Sequence, residues 1–257
     1  MAQPQFKGEF KYTNIGTIVG TLCYTKPLER KDGSQYGSEF LINVKGHGSV
    51  NVRVPSMYKV EQIMEQLNVD DRPRVRVPMT QADCYFAKSG KIYINFTSFA
   101  DFKEVGDDVA DTAKGNISGE VVNIKEAGGQ LTVLLAVFNV DKEGNRVTNR
   151  AGEPLPPKAL KVDVVDPELV KQFKDEVQVG SNVTIGYSYI NKNNVSYDEF
   201  GLPIGDGSRI TRIEAKKLIT LANKKDKKEA LKVADDPFAN DFDDVDPFAF
   251  NDEDIPF

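Results

Sequence analysis

The sequence predicts a mainly β protein: two successive five-stranded barrels, each with one short helix, followed by an acidic tail. Three observations lead there. Short runs of alternating apolar and polar residues, separated by Gly, Asn and Asp, dominate residues 12–222. Each half interrupts its strands once, at the same place, with a helical pattern. A local motif also recurs. Gly16-Thr17-Ile18-Val19-Gly20-Thr21-Leu22 matches Gly115-Asn116-Ile117-Ser118-Gly119-Glu120-Val121 in its Gly-x-Ile-x-Gly core and in the apolar residue two further on.

The first half has expected strands at 15–24, 39–46 and 49–54. Ser56 then caps a helix whose Val60, Ile63, Met64 and Leu67 recur at helical spacing. Strands are expected again at 74–77, 83–87 and 91–98, the last two joined by a hairpin turn at Ser89-Gly90. The second half repeats the order. Strands fall at 114–124, 130–140 and 159–165, with turns at Ala127-Gly128-Gly129 and Lys142-Glu143-Gly144-Asn145. Asp166-Pro167 supplies a cap and a first helical residue, with Leu169, Val170 and Phe173 facing inward. Strands at 182–190 and 209–221 close the half, with a long loop between them. Paired glycines within the first strand of each half suit a bend or bulge that lets a small sheet curl on itself. Three strands, a helix and further strands is the order of the OB-fold, a five-stranded Greek-key barrel. The expected division is therefore 12–105 and 114–222 as barrels and 106–113 as linker. A Lys-rich linker at 223–232 and a disordered acidic tail at 233–257 follow, the disorder argued from like-charge repulsion without aliphatic periodicity.

Charge is unevenly spread. The 257 residues carry a net −6, but nine of the 39 acids lie in 233–257, which has no Lys or Arg. The other 30 acids oppose all 33 bases, so residues 1–232 stand at +3. No apolar run is long enough to span a bilayer, and the polar start lacks a signal-peptide core, so a cytoplasmic protein with no membrane attachment is expected. Cys23 and Cys84 read as reduced core thiols. One histidine, His47 in a Gly-flanked turn, and two cysteines do not make a zinc site. There is no phosphate-binding Gly-Lys-Ser/Thr loop and no Gly-x-Ser-x-Gly elbow. The expectation is a non-enzymatic protein without metal or cofactor.

The chain ends Asp252-Glu253-Asp254-Ile255-Pro256-Phe257, with upstream echoes at Asp235-Asp236-Pro237-Phe238 and Asp246-Pro247-Phe248. This ending resembles the C-terminal tip of bacterial single-stranded DNA-binding proteins. The resemblance implies a docking peptide for replication, recombination and repair proteins such as a polymerase, helicase or primase. Physically, a terminal Phe fills an apolar pocket and its α-carboxylate meets a basic side chain. Pro256 limits the conformers lost on binding, and the acids raise encounter rates with basic partners. The body departs from that family, which has one OB domain per chain and stacks bases on tryptophans, whereas this chain contains no Trp. The family's stacking positions therefore do not transfer. An unfamiliar body with a host-style tip fits a bacteriophage-encoded protein.

Non-specific single-strand binding needs a basic groove with exposed aromatic platforms. Strand alternation places Arg53, Arg74, Arg76, Tyr85, Lys91 and Tyr93 outward on one expected face of the first barrel. Tyr36 sits in an expected loop at 26–37, the position of a common OB contact loop. In the second barrel Lys161 and Arg212 oppose their apolar neighbours, while Tyr187 and Tyr189 share a face with Val183 and Ile185 and read as core. The expected role is coating of single-stranded DNA, with the tip recruiting replication proteins; two barrels suffice for a monomer, a homodimer would display four, and the sequence leaves both open. The alternatives are a tandem-OB RNA binder, an acidic decoy of a host replication protein and, weakest, a metal-dependent nuclease.

Overall fold

The computed structural model describes residues 10–79, 81–86, 92–141, 145–149, 151–193, 196–197, 203–204 and 209–223. The tail, the tip, Lys91 and the Ser89-Gly90 turn lie outside the described residues. The first half contains β1 (Asn14–Glu29), β2 (Gln35–Val44), β3 (Gly48–Val54), α1 (Met57–Gln66), β4 (Arg74–Met79), β5 (Gln81–Phe86), β6 (Ile92–Thr97) and the short β7 (Lys103–Glu104). The second contains β8 (Thr112–Ala127), β9 (Gln130–Val137), β10 (Lys158–Val164), α2 (Pro167–Glu176) and β11 (Asn182–Asn193). A two-stranded ribbon of β12 (Ser196–Tyr197) and β13 (Pro203–Ile204) follows, then β14 (Arg209–Ala222).

Strand pairing closes two OB-type barrels. In the first, β1 pairs β2, β2 pairs β3, and β3 runs parallel to β6. The fourth barrel strand is divided: β5 pairs β6 while β4 pairs β1. The second barrel runs β8–β9–β10, then parallel to β14, then β11 and back to β8.

Local chemistry fixes the helices. The Ser56 side chain accepts from the Lys59 amide at 3.4 Å, and Asp166 accepts from the amides of Glu168 (3.1 Å) and Leu169 (3.0 Å). In α1, Val60 and Ile63 are buried and Leu67 follows at the cap. Met64, expected inward, is 43% exposed, because the stripe that packs is narrow and residue 64 falls on its flank.

The repeated glycines divide their work. A Cβ on Gly20 would stand 2.4 Å from the Asn43 carbonyl oxygen, and one on Gly119 2.8 Å from that of Ala136, so both permit the first strand of a barrel to press onto the second. Gly16 and Gly115 instead face each other where β1 pairs antiparallel with β8, joining the barrels edge to edge. Phe96 of the first barrel meets Tyr189 of the second edge-on, centroids 5.1 Å apart. The buried apolar residues of both halves form one contiguous cluster.

Candidate nucleic-acid interface

The outer face of the first barrel assembles from registers. Lys26, Glu39, Arg53 and Thr97 stand in one row across β1, β2, β3 and β6; Tyr24, Leu41 and Asn51 form the next. Val50, Val52 and Val54 point inward, which turns Arg53 out as alternation requires. Its Nε donates to Glu39 Oε2 at 3.3 Å, leaving the side chain 45% exposed. Tyr93 is 50% exposed on β6 and lies in register with Tyr85 on β5; the Tyr85 side chain lies outside the described residues.

Tyr36 requires a correction. It is on β2 and half-buried, because β1 runs to Glu29 and β2 begins at Gln35, leaving only a short tip. Arg30 lies over its ring, 5.5 Å from the centroid. Arg74 and Arg76 also depart from the expected single face. β4 is bonded to β1 and β7 and not to β3 or β6, so both arginines stand on another wall of the barrel. Arg74 is moreover engaged. Its Nη2 donates to the Val109 carbonyl (2.6 Å) and sits 2.7 Å from Asp111 Oδ1, while the Lys45 amide donates to the other Asp111 oxygen. Arg76 is exposed and makes no ion pair among the described residues.

In the second barrel, Lys161 is paired with Asp163 at 3.3 Å, and its amide donates to Cys84 Sγ of β5 at 3.4 Å, which places it at the seam between barrels. Arg212 donates to Glu214 at 2.7 Å, and Lys216 holds the other oxygen of that carboxylate. Tyr187 and Tyr189 are each 3% exposed, the core positions expected. Burial pushes both phenols up, Tyr189 to about 12, so neither ionises at ordinary pH. No disulfide joins Cys23 and Cys84. His47 forms the β2–β3 turn, and it also ties the barrels: Nδ1 is 2.8 Å from the Tyr189 carbonyl, and its own carbonyl accepts from the Asn191 amide. Among the described residues, no cluster of three His, Cys, Asp or Glu is placed to hold a metal, and no helix is long and apolar enough to cross a membrane.

Among the described residues, the exposed aromatics Tyr24, Tyr58 and Phe99 escaped the sequence reading. Tyr24, 51% exposed, belongs to the same outer face, because a register shift between Leu22 and Tyr24 breaks the alternation of β1. The unbroken run Leu22-Cys23-Tyr24 was the available signal.

No protein-family model and no curated protein sequence matches the chain. Among solved structures, the wild-type single-stranded DNA binding protein from Thermus aquaticus superposes with a TM-score of 0.51 at 13% identity, over 83% of this chain and 95% of that one. A deletion variant of the same Thermus protein gives 0.51 at 13% identity, over 82% and 95%. The likeness is one of fold. Fission yeast Pot1 with ssDNA superposes at only 0.22, with 10% identity over 81% of this chain and 85% of that one, and bears no weight.

Proposed function

We propose that this chain binds single-stranded DNA without sequence preference, coats it during DNA replication and recombination, and recruits replication proteins through its acidic C-terminal tip. One observation carries the reading. Two half-exposed tyrosines, Tyr24 and Tyr93, lie on either side of the β2–β3 pair that OB-folds use for ligands, with Arg53 on the same surface. Bases stack on such rings while cations follow the backbone. The fold shared with a protein named as a single-stranded DNA binding protein supports it. So does the Asp-Ile-Pro-Phe ending, on a chain whose first 232 residues are net basic. The proposal extends to a bacteriophage origin, suggested by that ending on an unfamiliar body. Titration of labelled oligo-dT at low salt tests binding. Affinity should fall with salt at a slope of about −0.7 per phosphate contacted; absence of binding at low salt overturns the reading.

A further inference from the structure

An open groove of about 570 Å³ lies where the barrels join. Thr17, Lys114 and Ser188 stand in register across β1, β8 and β11. Ile15, Asn116 and Gly186 form the next row, which Lys217 of β14 completes. Small polar side chains thus form the floor and lysines the rim, with Ile15 59% exposed beside them. Among the described residues, no carboxylate lines the groove. The acid in register with Ser188 is Glu214, and it is buried between Arg212 and Lys216.

The lysines are aimed by local irregularity. Ala215 pairs Tyr187 and Lys217 pairs Gly186, so Lys216 is an extra residue, and the resulting bulge turns two consecutive lysines outward. Gly186 has a specific use: a Cβ there would stand 2.8 Å from Lys217 Cγ, so the missing side chain lets the lysine stem lie flat on β11. Lys114 and Lys217 are exposed and make no ion pair among the described residues.

We infer that this groove is a phosphate track that carries the backbone of a single strand from the first barrel to the second, with Lys114 and Lys217 as its cationic contacts. The inference rests on the proposed function and extends it to a surface outside both barrel faces. The test compares the full chain with its Lys114→Gln/Lys217→Gln variant in salt titrations of oligo-dT binding. Both side chains are exposed, so folding is retained, which circular dichroism checks. Losing two phosphate contacts should lower the magnitude of the log-affinity against log-salt slope by about 1.4 and weaken binding most at low salt. If the wild-type chain binds and the variant keeps its slope, the track is overturned and the proposed function stands. A wild-type chain that does not bind overturns both. Tighter binding by the variant also overturns the track, because it would make the groove a seat for the chain's own acidic tail.

Discussion

Arg74 grips Asp111, its Nη2 lying 2.7 Å from the carboxylate Oδ1, with the two side chains 22% and 12% exposed. The pair fastens β4 to the segment that leads into β8, and Nη2 also serves the Val109 carbonyl. Arg74→Ala should therefore lower unfolding stability by about 1–3 kcal/mol, the scale of a partly buried charged hydrogen bond left without its donor. Oligo-dT affinity of the folded variant should stay unchanged. Urea denaturation alongside a binding titration separates the two effects.

Tyr24 and Tyr93 should act in the opposite sense. Each is about half exposed, so truncation to Ala leaves the core intact. If bases stack there, each variant should weaken oligo-dT binding by about 1–3 kcal/mol with little change in melting temperature. Fluorescence anisotropy reads the affinity; two unchanged affinities would remove this face from the site.

Gly115 tolerates no side chain. A Cβ would stand 2.4 Å from the Ile15 carbonyl oxygen and 2.8 Å from the Cα of Gly16. Both are backbone atoms and cannot swing aside. Gly115→Ala should destabilise the chain by about 1–3 kcal/mol through overpacking, with amide exchange across β1 and β8 accelerating first.

Glu214 makes stability depend on acid. Burial raises its pKa, but the hydrogen bond and charge of Lys216, then those of Arg212, outweigh that, so the net shift is downward from the ordinary 4.5. A carboxyl with a lowered folded pKa contributes stability that is full above 4.5 and lost as pH falls through the folded value. Urea midpoints measured from pH 6 downward should drop in that window, and Glu214→Gln should flatten that part of the curve.

Nine acids beside a net-basic body compete with DNA for its cationic surface. Removing residues 233–257 should raise oligo-dT affinity at low salt and matter less as screening increases. Removing Phe257 alone should leave DNA binding intact while ending capture of a replication protein.

Legibility from sequence followed the range of the forces involved. Ser56 and Asp166 announce their helices because capping is settled within three residues, and Tyr187 and Tyr189 fall in the core because alternation holds along β11. Alternation fails at Tyr24 and Lys216, where one inserted residue reverses which side faces out. It also cannot say which wall of a closed barrel a strand occupies. Arg53 and Arg76 both point outward as expected, but long-range pairing puts them on different walls. Arg74 shows a further limit: its partner, Asp111, is 37 positions away and read as linker.

The contact between Gly16 and Gly115 has a symmetry. Beside it, Ile15 opposes Asn116 and Thr17 opposes Lys114. In the repeated motif Ile15 corresponds to Lys114 and Thr17 to Asn116, so the same two positions meet twice, in reversed order, about the glycines. That is the self-complementary arrangement of a two-fold dimer, carried out within one polypeptide. Its effective concentration is set by the connection, on the order of millimolar for short links, instead of by how much protein is present. The pairing accordingly survives dilution that would dissociate barrels made as separate chains, and the first-strand edge through which a lone barrel would recruit a copy of itself is already occupied.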